Sequence, residues 1–149
     1  MGEKRRKKGS GYKLYVQKKL RISAKEYTTS SNVKKPGRKP PVTQVVRKCR
    51  YKCSTLALHQ KEHLFTTFYK CDYSTQNNYL MGLMEIVPVQ RHGTYTKPEN
   101  SQRRSTITYS VPDGEGNSVQ VCRQTFIDIF AISRSTLQTI ATRKKEWGN

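Results

Sequence analysis

The chain runs to 149 residues, room for one modest domain and a tail, and its 29 Lys and Arg outweigh 10 Asp and Glu to give a formal net charge of +19. Such an excess favours a polyanionic partner, which sheds counterions when cations bind it, with nucleic acid ahead of an anionic membrane surface. No apolar run approaches the ~20 residues that cross a bilayer, and Met1-Gly2-Glu3-Lys4-Arg5-Arg6 lacks the apolar stretch of a secretory leader.

A reducing compartment follows as the expectation, in which Cys49, Cys53, Cys71 and Cys122 are thiols or metal ligands rather than disulfides. The charge is uneven. Residues 1–53 hold 18 of the Lys and Arg and only Glu3 and Glu26 as acids, so a core is expected in the nearly neutral remainder. Lys4-Arg5-Arg6-Lys7-Lys8 suits nuclear import or adhesion to phosphate. Tyr12, Leu14 and Val16 alternate too weakly to fold alone, and residues 1–46 read as a disordered basic arm. Within it, Lys34 to Pro41 resembles an AT-hook whose Arg-Gly-Arg-Pro core is replaced by Pro36-Gly37-Arg38-Lys39, and it reads better as a charged linker.

Cys49 and Cys53 precede a helical stretch from about Thr55 to Tyr69, whose inward face is Ala57, Leu64, Phe65 and Phe68. His59 and His63 lie one turn apart on the other side. The spacing Cys49-x3-Cys53-x5-His59-x3-His63 can supply two thiolates and two imidazoles to a tetrahedral zinc ion. The competing reading, exposed histidines and incidental thiols with no cofactor, is the stronger one, because the loop is far shorter than a zinc finger's. A second helix is expected from Ser74 to about Ile86, with Tyr79, Leu80, Leu83, Met84 and Val87 inward and Pro88 ending it. Residues 89–103 read as a polar loop, and Arg103 and Arg104 beside it as phosphate contacts. Ile107, Tyr109 and Val111 then alternate with polar residues, Pro112-Asp113-Gly114 turns, and Val119 and Val121 return as the second arm of a β-hairpin.

The stretch from Val121 to Lys145 predicts two short helices joined by a tight turn, a helix-turn-helix over residues 119–146. Cys122, Phe126, Ile129 and Phe130 share one helical face; Ala131-Ile132 interrupts; Ser133 can cap a new helix. In that second helix Leu137, Ile140 and Ala141 form the inward stripe. A step of ~100° per residue puts Ser135, Gln138, Thr139 and Thr142 on the opposite side. Small, polar and uncharged, they can approach base edges, and Gln pairs bidentately with adenine. Arg143, Lys144 and Lys145 follow as phosphate contacts at the helix end. The architecture implied is an α+β domain over residues 47–146, mostly helical, with one β-hairpin and a C-terminal helix-turn-helix, preceded by the arm.

These residues resemble the N-terminal region of a large set of invertebrate proteins of transposon ancestry. The likeness rests on Cys49-Arg50-x-Lys52-Cys53, the aromatic pair Phe68-Tyr69, the Gln76–Leu83 helix, Tyr109-Ser110-Val111, the run Val119-x-Val121-Cys122-x-x-x-Phe126, and Phe130-x-Ile132-Ser133. It covers roughly residues 47–145, and it implies a DNA-recognition head detached from a longer transposase-like region. No convergent trio of carboxylates, no Cys-His pairing and no Gly-rich phosphate loop can be read from the chain, so neither an enzyme nor a small-molecule substrate is expected. The expected partner is double-stranded DNA in the nucleus. The alternatives are a protein-interaction adaptor whose basic tail serves import, or a non-specific binder of RNA or single strands.

Overall fold

Phe65, Phe68 and Tyr69 crowd three aromatic rings onto one side of a helix, and Tyr79 and Phe130 pack their rings on that side. In the computed structural model, which describes residues 9–42, 48–51, 53–89 and 105–147, this helix is α2 (Leu58–Lys70), entered through a 3-10 turn at Cys53–Thr55. The Gln60 side chain accepts the Ala57 N–H at 2.8 Å, satisfying a donor the first turn would leave unpaired. Its amide donates to the Asp113 carbonyl at 2.6 Å, fastening α2 to a hairpin turn.

Helix α3 (Tyr73–Gly82) follows, then an antiparallel sheet of β3 (Met84–Pro88), β4 (Ser105–Pro112) and β5 (Ser118–Val121) in that spatial order. Met84 stands opposite Tyr109, and Tyr109 opposite Val121, which puts all three buried residues on one face. α4 (Arg123–Phe130) and α5 (Arg134–Trp147) end the described chain. Phe130 lies with its ring centroid 5.1 Å from Phe68 and 5.0 Å from Phe126, while Phe126 stacks at 5.1 Å on Tyr109. Phe126 and Phe130 are wholly inaccessible, each contributing roughly 1.5–3 kcal/mol of apolar burial.

The α+β class, the hairpin and the C-terminal helix pair are as expected. Two elements differ. The helix expected over residues 74–86 ends at Gly82, and Met84–Pro88 pairs with β4, making the hairpin a three-stranded sheet. The arm expected to be disordered over residues 1–46 carries, within its described part, α1 (Gly9–Ile22) and the two-residue strands β1 (Tyr27–Thr28) and β2 (Lys34–Lys35), paired antiparallel. Val16, Leu20 and Ala24, spaced four apart, are half-buried, Ala24 packing against the core, and polar tethers add to this contact. Gln76 donates to the Ile22 carbonyl at 3.0 Å, and the Arg38 Nη1 donates to the Tyr69 hydroxyl at 2.8 Å. Gly37 sits so close beneath the end of α1 that a Cβ there would lie 2.7 Å from the Ala24 carbonyl oxygen. The AT-hook-like stretch is thus folded back against the domain.

Candidate nucleic-acid interface

Helix α4 opens with Cys122 as its N-cap, whose Sγ accepts the Thr125 N–H at 3.4 Å. The helix closes at Ala131, which takes the left-handed conformation (φ 46°, ψ 41°) and sends the chain off in a new direction. Ile132 N–H returns to the Ile127 carbonyl at 3.3 Å, so the turn is closed by its own backbone. Ser133 then caps α5 as its side chain implies: Oγ accepts the Thr136 N–H at 3.1 Å.

Leu137, Ile140 and Ala141 are buried, which rotates Ser135, Gln138, Thr139, Thr142, Arg143 and Lys145 outward, and all six are exposed. The Thr139 and Thr142 hydroxyls donate to the Ser135 and Gln138 carbonyls, each at 3.0 Å, which leaves them acceptors and methyl groups to present outward. The Gln138 amide bonds to none of the described residues. Glu146, in the last turn, is the single acid of α5.

Cations flank both long sides of this helix. On the Gln138 side an open groove runs between α5 and β4, lined by Arg123, Lys145, Tyr51 and the β4 threonines, with no carboxylate among its lining residues. On the Thr136 side a second groove is lined by Lys18, Arg21 and Arg38 with Tyr73, Gln76 and Asn77, again without an acid. Sequence reasoning did not single out Lys18, Arg21, Tyr51 or Arg123. Lys18 and Arg21 share a face only once α1 is known to be helical, and Arg123 had a signal in its place at the first turn of the leading helix.

Lys144 departs from expectation. Its Nζ donates to the carbonyls of Met81, at 2.6 Å, and of Met84, so it caps the end of α3 and spends two of its three donors within the fold. Arg103 and Arg104 lie outside the described residues.

The cysteines also assemble differently. Cys49, Cys53 and Cys122 bring their three Sγ atoms within 4.8 Å of one another, an arrangement that can hold a metal ion. His59 and His63, the imidazoles expected to complete the Cys49 and Cys53 set, fall outside this group. They are exposed on the far face of α2, lining a groove with Leu64, Thr67 and the hairpin turn at Asp113–Glu115. The third thiol comes instead from the α4 N-cap, and the Cys122 N–H donates to the Cys53 Sγ at 3.1 Å. Burial pushes the Cys53 thiol up. At Cys122 burial acts in the same direction, but hydrogen bonds from the Thr125 hydroxyl and amide, the Cys53 thiol and the Gln124 amide together lower that thiol. Cys71 lies apart, its Sγ donating to the Thr67 carbonyl at 3.4 Å.

No family model, curated protein or solved structure matches the chain.

Proposed function

We propose that this protein binds double-stranded DNA, with α5 laid in the major groove and basic residues on either flank holding phosphates. The observation that carries the reading is the outward face of α5: Ser135, Gln138, Thr139 and Thr142 are all exposed, and a cationic groove runs along each side. A helix offered to a duplex needs a side that does not repel phosphate and can meet base edges, while a buried stripe fixes its rotation. Leu137, Ile140 and Ala141 provide the second requirement. Gln138 supplies a bidentate amide, the two threonines supply acceptors and methyl groups, and Arg143, Lys145, Arg123, Lys18 and Arg21 reach the backbones. The nuclear import suggested by the basic tail agrees with this role, as does the resemblance to transposon-derived DNA-recognition heads. No helix of the described residues is long and apolar enough to cross a membrane.

Selection of bound duplexes from a random pool by the full chain tests the proposal. An enriched sequence motif whose binding weakens steeply with added salt supports it. Changing Gln138 and Thr139 together to Ala should flatten that motif at one or two positions, at about 1–3 kcal/mol of discrimination per lost bidentate contact. Equal affinity for duplex, single-stranded DNA and RNA, unchanged by these substitutions, would leave the basic arm as the sole source of binding.

A further inference from the structure

We propose that Cys49, Cys53 and Cys122 form a three-thiolate site for one zinc ion, with the fourth tetrahedral position left to water or a small exogenous ligand. The inference stands on geometry separate from the α5 surface, so it holds or fails independently of the DNA reading.

Three features carry it. First, the sulfurs converge within 4.8 Å. Zinc–thiolate bonds of about 2.3 Å place tetrahedral sulfurs roughly 3.8 Å apart, so rotation about Cα–Cβ bonds closes the remaining gap. Second, the convergence joins distant parts of the chain: Cys122 lies 69 positions beyond Cys53, and only the docking of α4 beside the 3-10 turn brings them together. Three thiols meeting in this way offer more than one disulfide can use, and all of them are free. Third, the site is furnished with donors to sulfur. The Cys122 amide points at the Cys53 Sγ at 3.1 Å, and the Thr125 amide and hydroxyl lie at 3.4 Å and 3.2 Å from the Cys122 Sγ. Donors aimed at sulfur stabilise thiolates and orient them, the role outer-shell partners take at metal centres.

Coordination replaces each S–H bond with an S–Zn bond and releases the thiol protons to solvent, so uptake is favoured by rising pH. Cys53 is buried while Cys49 and Cys122 are half-buried, which leaves one side through which the ion enters and a solvent ligand completes the tetrahedron. Soft sulfur donors select zinc over magnesium or calcium. Once bound, the ion staples the loop bearing Arg50 and Tyr51 to the first turn of α4, upstream of the turn that aims α5.

The test uses the full reduced chain, stripped with a chelator. Titration with Co²⁺ should produce the thiolate-to-metal charge-transfer and tetrahedral ligand-field bands at one ion per chain, bleached by one equivalent of Zn²⁺, and zinc should raise the thermal midpoint. Cys49→Ser and Cys122→Ser should each abolish one-to-one binding and the thermal shift. Cys49 is the more secure probe of the two, because its Sγ donates to the Tyr51 carbonyl at 3.4 Å, a bond serine can make, whereas Cys122 also caps α4. A chain carrying Cys71→Ser, His59→Ala and His63→Ala should bind as the parent does. A parent chain that develops no cobalt bands, or a Cys49→Ser variant that folds and keeps them, overturns the site; so does loss of binding in the Cys71, His59 and His63 variant.

Discussion

The hydroxyl of Tyr69 donates to the carbonyl of Phe130, 61 positions away, at 2.7 Å, and itself accepts from Arg38 at 2.8 Å. One phenol thus ties the basic arm, the central helix and the last residue of α4 into a single line. Phe130 is the residue before the left-handed turn, where a helix leaves its final carbonyls without intrahelical donors.

Tyr69→Phe removes the hydroxyl, leaves that buried carbonyl unsatisfied and frees the arm. It should destabilise the fold by about 1–3 kcal/mol in urea unfolding. Proteolysis within residues 23–42 should accelerate as well. A variant with unchanged midpoint and unchanged arm cleavage would show that the line carries no load.

Alkaline pH should act through the same residue and two others. Burial raises the Tyr69, Tyr79 and Tyr109 hydroxyls above the ordinary phenol value, with Arg38 opposing at Tyr69 and Arg123 at Tyr109. A group whose folded value is raised holds its proton better when folded, so its contribution is complete below the unfolded phenol value and declines as pH rises beyond it. Stability should therefore fall above about pH 10, the value of a free phenol. Phenolate absorbance from these three rings should appear together with loss of far-UV helix signal, and phenolate formation well before unfolding would contradict this.

Lys144 and Lys145 are neighbours with opposite assignments. Lys144→Met loses the cap on the end of α3 and should lower stability by about 1–2 kcal/mol while leaving the salt dependence of DNA binding intact. Lys145→Ala should leave stability unchanged and reduce the logarithmic salt slope by about one. Finding the two effects exchanged would mean that Lys144 faces the duplex and Lys145 does not.

Ala131 adopts a φ of 46°, which costs an L-residue roughly 1–2 kcal/mol. Ala131→Gly should raise the unfolding free energy by about 0.5 kcal/mol, once the greater freedom of unfolded glycine is set against the relieved strain. Ala131→Val should lower it by more than that. Ala131 also packs partly against the core, so a glycine variant weaker than the parent would show that the lost methyl contact outweighs the relieved strain.

What could be read from the chain tracks how local each signal is. The α4–turn–α5 unit was legible because Phe126, Phe130, Leu137 and Ile140 repeat at helical spacing and Ser133 is a capping residue in the right place. Met84–Pro88 was not, since a short apolar run after Tyr79, Leu80 and Leu83 continues a helical pattern as readily as it begins a strand. The order of α1 left only a thin apolar trace: Tyr12, Leu14 and Tyr15 stay 70%, 58% and 63% exposed, Val16, Leu20 and Ala24 are half-buried, and Gln76 and the Arg38 line complete the attachment. Cys122 was legible as a residue of the leading helix but not as a third sulfur. Its role depends on α4 docking beside the Cys53 turn, a contact no spacing along the chain can encode.

The close seat of Gly37 under Ala24 sets an asymmetry in how the basic segment tolerates drift. Lys34, Lys35 and Lys39 are exposed cations that can be exchanged for one another or for arginine at little cost. At position 37, any side chain larger than hydrogen wedges against backbone that cannot yield. Among variants of this chain, Gly37 should therefore be less free to change than the lysines on either side of it.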